Sequence, residues 1–209
     1  MPLKKNRRLT ALTAAVLALA VGPGSAAAAT TTSSSTPATC PSAGTATKVF
    51  SQFGDSAEYT PAPNGTFQNK ASGWTIVGNA KLIADTNPFG LGGSGAQALQ
   101  MGPMSVAISP PSCVTSANPY FRYLIKSNFF GSNVTTGVDY LGTAASALFN
   151  AYSYTNLSLL PGSWSPSAPN PLSTRIPLLN NGSSTVRLVF TDLSGSYTIG
   201  DVFVDPWAR

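Results

Sequence analysis

The chain has 209 residues, with 12 basic side chains, 7 acidic ones and no histidine. The missing histidine excludes Ser-His-Asp and Cys-His catalysis and histidine-bound zinc. The net charge of +5 is uneven: the first 29 residues hold four basic residues and no acid, so the rest carries 8 against 7, net +1. The remaining basic residues are scattered (Lys48, Lys70, Lys81, Arg122, Lys126, Arg175, Arg187 and Arg209). That excludes a nucleic-acid partner, which needs a clustered basic surface.

In chain order, residues 1–29 read as a secretory signal peptide. Lys4, Lys5, Arg7 and Arg8 precede an apolar run, roughly Leu9 to Val21, and then small residues up to Ala29. The run is shorter than the ~20 residues a bilayer span needs. The protein is therefore expected to be secreted, extracellular and without a membrane span after cleavage. Residues 30–39, "TTTSSSTPAT", form a low-complexity linker. Residues 40–209 then make one domain, large enough to bury a core. Its two cysteines, Cys40 and Cys113, are an even number in an exported chain and read as a disulfide.

Within this domain the pattern is short alternating runs between Gly, Pro, Asn and Ser, the signature of strands and turns. The predicted strands are "KVFSQF", "GWTIV", "AKLIA", "QALQM", "MSVAIS", "YFRYLIKS", "TTGVDYL", "ALFNAYSY", "STRIPLL", "STVRLVFT" and "TIGDVFVD". "PGSWSPSAPNPL" reads as a loop or an edge strand, since proline cannot donate to a ladder. The whole predicts an all-β antiparallel sandwich. In "YFRYLIKS", Phe121, Tyr123 and Ile125 take the core, while Tyr120, Arg122, Leu124 and Lys126 face outward; in "STVRLVFT", Val186, Leu188 and Phe190 share one face against Arg187, Val189 and Thr191. In "TIGDVFVD", Gly200, Val202 and Val204 share the core face, Ile199, Asp201, Phe203 and Asp205 share the other, and Asp205 ends the strand in a turn or in solvent.

Two segments resemble a known fold family. "APNGTFQNKASGWTIVGNA" is similar to the opening of galactose-binding-like jelly rolls, several carbohydrate-binding modules among them, which runs Asn-Gly-x-Phe-Glu, then Gly-Trp, then a strand. "YTIGDVFVDP" resembles their closing strand, Ile-Asp-Asp-Val. The wider layout resembles a set of uncharacterised secreted bacterial proteins. They share an early Cys, Phe-Gly-Asp as at Phe53 to Asp55, a second Cys as at Cys113, Arg-aromatic as at Arg122 and Tyr123, and Val-Asp-Pro at the end. The resemblance implies a jelly roll with Trp74 in its core. It also implies a calcium position. The opening Glu is Gln68 here and the first closing Asp is Gly200, so Asp201 and Gln68 remain as a degenerate site that lacks the charge calcium wants. No cofactor is expected.

No catalytic set emerges. Asp55 and Glu58, the closest acids in sequence, read as a charged surface turn. "GLGGSG" lacks the Lys-Ser/Thr of a phosphate loop and reads as a flexible loop. Sugars are held by aromatic rings with a few placed polar groups, and the candidates are Tyr120, Arg122, Tyr140, Tyr152, Tyr154 and Trp164. In the bland alternative, Arg122 pairs with Asp139 on another strand. Three readings stay open: a non-catalytic module binding carbohydrate or another cell-envelope polymer, a structural or adhesive protein, and an enzyme of unrecognised mechanism. Oligomeric state is not encoded in any feature noted here.

Overall fold

The computed structural model describes residues 44–84, 87–93, 95, 97–115, 118, 120–129, 132–141, 151–156, 161–172 and 183–205. The predicted signal peptide, the linker, Cys40 and the run "STRIPLL" lie outside them. No helix among the described residues is long and apolar enough to cross a membrane.

The strands in chain order are β1 (Thr60–Pro61), β2 (Thr75–Val77), β3 (Ala80–Ile83), β4 (Ala98–Met101), β5 (Ser105–Ile108), β6 (Ser112–Thr115) and β7 (Tyr120–Ser127). They continue with β8 (Asn133–Leu141), β9 (Ala151–Asn156), β10 (Trp164–Pro166), β11 (Asn170–Pro171), β12 (Ser183–Asp192) and β13 (Tyr197–Val204). They form two antiparallel sheets, an all-β sandwich of jelly-roll type. The first sheet runs β10-β7-β13-β4-β3, with β1 added on β13 and β11 on β7; the second runs β2-β5-β12-β8-β9, with β6 on β12. The proline-rich segment supplies β10 and β11 at the edge, where Pro166 stands opposite Leu124 and Pro171 opposite Tyr120, positions that a residue without an N–H tolerates.

The core lies between the sheets. Phe121, Tyr123 and Ile125 of β7 meet Val186, Leu188 and Phe190 of β12, with Phe67 and Trp74 beside them. These are the inward sets that alternation predicts. Asn64 holds the opening loop together. Its side-chain amide donates to the carbonyls of Lys70 and Ser72, and its own carbonyl accepts from the Trp74 indole at 3.1 Å. Cys113 is half-buried on β6, and no cysteine among the described residues is free.

Four expectations need correction. "KVFSQF" is no strand: it ends in a 3₁₀ turn at Ser51–Phe53, closed by Gly54 at φ 81°. The alternation assumed for β13 also breaks. Ile199 and Val202 both face the core, three residues apart, because the register shifts between Gly200 and Phe203 and Asp201 adopts φ 50°. This is a β-bulge, and aspartate is among the few non-glycine residues that tolerate its left-handed position. The bulge also changes partners: Tyr197 to Ile199 pair with β4, whereas Phe203 and Val204 pair with β1. Asp205 is buried, not solvated; its N–H donates to the Tyr120 carbonyl, and its own carbonyl accepts from Asn118.

The fourth concerns the outer face of the first sheet, where Leu124 has the outward parity expected of it and is nevertheless fully buried. A second apolar cluster sits there, built from Phe50 and Tyr59 of the entry segment over Leu124 and Phe203, with Phe53, Phe89, Leu91 and Trp164 packed around it. Removing each such side chain from water contributes about 1.5–3 kcal/mol. Half of that face is thus covered by chain from the start of the domain.

Candidate functional site

Of the six predicted contact residues, the structure takes two out of solvent. Arg122 is only 8% exposed. Its Nη1 meets Asp55 Oδ2 at 2.6 Å, its Nε and Nη2 donate to the Ser167 carbonyl at 2.9 and 2.6 Å, and its guanidinium carbon lies 4.7 Å from the Phe50 ring centroid. Every edge of the fork is engaged within the protein. Asp55 also accepts from Tyr59 Oη and from the Ala57 N–H, so it is an internal anchor and not part of a surface turn. Asp139, the alternative partner, stands opposite Arg187 in the other sheet. Tyr140 is a core residue whose hydroxyl donates to the Leu172 carbonyl at 2.8 Å.

The other four stand on three separate strands. Tyr120 is partly exposed at one end of β7, opposite Pro171. Trp164 stands opposite Lys126 near the other end, roughly 20 Å along the strand at about 3.4 Å per residue. Tyr152 and Tyr154 belong to β9 of the second sheet, opposite Gly137 and Thr135.

What does assemble is a row across the first sheet beyond the Phe50 cluster, interrupted at Thr198, which is fully buried with its hydroxyl accepting from the Asn128 amide at 3.4 Å. Trp164 is in register with Lys126, Lys126 with Thr198, Thr198 with Gln100, and Gln100 with Lys81. Side chains opposite one another in paired strands share a face. The benzo edge of Trp164 reaches over Gly200, where a Cβ would come within 3.5 Å of it. The Lys126 ammonium stands 5.2 Å from the indole centroid, an attraction between cation and ring face. Burial pulls Lys126 below the ordinary lysine value.

At the far end the row opens into a cavity of about 300 Å³, whose lining includes Asn79, Lys81, Gln100, Phe129 and Ser196. Phe129 is 65% exposed. Sequence reasoning missed it because it stands just after β7, outside any alternating run. The signal available was an aromatic residue, Phe129, just past the end of a predicted strand. The site therefore offers Trp164 at one end and Phe129 at the other, with the amides of Gln100 and Asn79, the Ser196 hydroxyl and the Lys81 ammonium at the cavity end.

The predicted metal pair, Asp201 and Gln68, does come together, through Gly92. Gln68 Nε2 donates to the Gly92 carbonyl at 2.5 Å, while the Gly92 N–H and Asn87 Nδ2 both donate to the Asp201 carboxylate. Burial raises the Asp201 pKa above the usual carboxylate range, partly offset by those two donors. Its other oxygen, Oδ1, is buried without a partner. That bare oxygen suits a cation in kind. The charge does not, because the neighbours are amides and one carbonyl, and calcium wants six to eight oxygens with more than one carboxylate.

We therefore expect chelator to shift Tm by no more than about 2 °C, since calcium bound at 100 times its Kd would add about 2.7 kcal/mol. In the same protein, stability should fall as pH rises from the usual carboxylate range through the raised Asp201 value, because the folded state keeps a proton that the unfolded chain has released. A drop of about 10 °C with chelator would reverse this assignment; it corresponds to about 3 kcal/mol for a domain of this size.

No protein-family profile matches the chain, and no curated protein does. Among solved structures it aligns with TmCBM61, a module solved in complex with β-1,4-galactotriose, at 14% identity over 68% of this chain and 94% of that one, TM-score 0.44. It aligns with the CBM22-1 xylan-binding domain of Paenibacillus barcinonensis Xyn10C at 16% identity over 66% and 88%, TM-score 0.42. A sugar-binding protein of Bacteroides thetaiotaomicron aligns at 11% identity over 70% and 94%, TM-score 0.41. Likeness at this level carries no function across, and what this chain binds must be argued from its own residues.

Proposed function

We propose that the protein is an exported, non-catalytic carbohydrate-binding β-sandwich module whose contact surface is the uncovered half of the first sheet. The observation that carries this reading is the row from Trp164 to Lys81, which runs into a cavity bordered by Phe129. Rings pack against the C–H faces of sugars, and the polar groups between them read hydroxyls. Export is supported by the basic, apolar and small-residue layout of residues 1–29. The non-catalytic part of this reading rests on the sequence, which has no histidine and a single glutamate, Glu58.

The purified protein on a glycan array should retain at least one oligosaccharide class. Phe129→Ala should weaken that binding about tenfold, roughly 1.4 kcal/mol, with Tm unchanged because the ring is mostly in solvent. Trp164 is a poorer first variant, as its ring also packs on the Phe50 cluster. A folded protein that retains no glycan would overturn the proposal, as would a Phe129→Ala variant that binds as well as the parent.

A further inference from the structure

We infer that the cavity at the Lys81 end of the site takes an acetylated sugar, one with an N- or O-acetyl group, in preference to the same sugar with free hydroxyls; this rests on the glycan-binding reading above. Five large apolar side chains stand in solvent among the described residues: Val77, Met104, Tyr120, Phe129 and Leu193. All but Tyr120 belong to one end of the sandwich. Ser105 of β5 is opposite Asp192 of β12, so Met104 and Leu193 each stand one residue beyond that pair. Val77 ends β2, and a Cβ on the next residue, Gly78, would lie 2.2 Å from the Met104 carbonyl oxygen. Phe129 follows Asn128, whose N–H donates at 3.0 Å to the carbonyl of Ser196, in the turn that Leu193 begins.

The cavity opens at that same end. Pro103, next to Met104, lines it, as do Phe129 and Gly195, two residues after Leu193. Exposed apolar side chains grouped beside polar ones mark a contact surface. This one is nearly free of charge: Lys81 is the one charged residue among the described residues that line the cavity. The amides of Asn79 and Gln100 are further donors. Asn79 is held close to the end of β4, since its backbone carbonyl accepts from the Gly102 N–H at 2.7 Å and its amide nitrogen would lie 2.6 Å from a Cβ at Gly102. Donors thus line the cavity, and apolar side chains stand beside it.

An acetyl group matches both parts. Its carbonyl accepts hydrogen bonds and donates none, which suits amide and ammonium donors, and its methyl group gains by leaving water against Met104, Leu193 or Phe129. A hydroxyl in its place gives those side chains nothing apolar to cover. Covering them alone, by lipid or by a second copy of the chain, makes no use of donors grouped in a cavity.

The test titrates the purified protein with two pairs of oligosaccharides. Chitohexaose and cellohexaose share ring and linkage and differ in the N-acetyl group; O-acetylated and unmodified xylohexaose differ in the O-acetyl groups. The acetylated member of at least one pair should bind about tenfold tighter or more, the discrimination that one apolar group gives. The double variant Met104→Asn, Leu193→Ser should reduce that ratio to about twofold and leave the unacetylated member's affinity and Tm unchanged. Both side chains are mostly in solvent, and asparagine tolerates the φ of 59° at position 104. Equal affinities within both pairs overturn the acetyl preference and leave the glycan reading standing, as does a ratio that survives the double variant. Failure to bind either acetylated member, in a protein that retains other glycans on the array, overturns it too. A dimer in gel filtration, or binding to phosphatidylcholine vesicles, that the double variant abolishes would assign the apolar end to a second copy or to lipid and overturn it likewise. If no glycan of any kind is retained, the glycan reading itself has failed.

Discussion

Replacing Arg122 by alanine is expected to cost about 3–5 kcal/mol of folding stability, the usual loss when one partner of a buried ion pair is removed. For a domain of this size that is roughly 6–20 °C in Tm, at 2–4 °C per kcal/mol. Three groups lose their partner together. The Asp55 carboxylate, at 10% exposure, keeps its charge without its cation; the Ser167 carbonyl loses two donors; and the Phe50 ring loses the guanidinium over its face. Asp55 and Phe50 belong to the entry segment, so the variant should loosen that segment first. Hydrogen exchange should show the loss of protection beginning at residues 47–61.

A double-mutant cycle sharpens the test. Asp55→Ala alone should also be costly, and the two losses together should fall well short of their sum. Arg122→Lys should recover little, because an ammonium cannot serve Asp55 and the Ser167 carbonyl with the geometry of a fork. A loss below about 1 kcal/mol for Arg122→Ala, the scale of an exposed pair, would mean that the entry segment does not cover β7 in solution.

Gly65→Ala is expected to cost about 2–4 kcal/mol, in the range of overpacking and backbone displacement. A Cβ at Gly65 would lie 2.4 Å from the Val202 carbonyl oxygen and 3.1 Å from that of Ala62. Neither atom belongs to a flexible side chain. Both backbones are held in place, since the Ala62 N–H donates to the Val202 carbonyl at 2.9 Å and the Val202 N–H donates to the Gly65 carbonyl at 3.0 Å. The methyl group must push the opening loop away from the bulge that carries Asp201. Urea denaturation gives the size of the effect. Gly162→Ala is the useful comparison. Its φ of 84° disfavours alanine, but nothing lies within 4 Å of the added carbon, so about 1 kcal/mol is expected. Equal losses in the two variants would remove the close approach as the explanation.

The resemblance of the opening and closing segments to galactose-binding-like jelly rolls has a physical content that the structure makes visible. The Asn-Gly pair at Asn64 and Gly65 forms the tight loop that lets Trp74 enter the core, and Gly65 is the point where that loop meets the closing strand. The Phe-Gly-Asp and Arg-aromatic pairs are the two halves of one contact, Asp55 with Arg122. Their joint presence in a sequence is explained by a buried ion pair, and not by a shared binding site.

The sequence by itself determined the fold class and most of the inner surface. β7 was legible from end to end, as were the inward faces of β7 and β12, because alternation of apolar and polar residues is a local property with a period of two and the core lies on one side only. The proline-rich edge followed from an equally local rule, whereas Trp74 in the core was what the resemblance of the opening segment implied. The tertiary structure decided everything that depends on distant chain. Arg122 has the outward parity that alternation assigns it, yet it is buried, because residues 67 positions earlier fold over it. Parity says which way a side chain points from its own sheet and nothing about what covers that side. Val202 and Ile199 face the same way because a bulge inserts one residue into the ladder, and the only local trace of that is the Gly200-Asp201 pair. The groove from Trp164 to Lys81 was invisible for the same reason. Its residues come from four different strands, and only the register of β10, β7, β13, β4 and β3 brings them into one row.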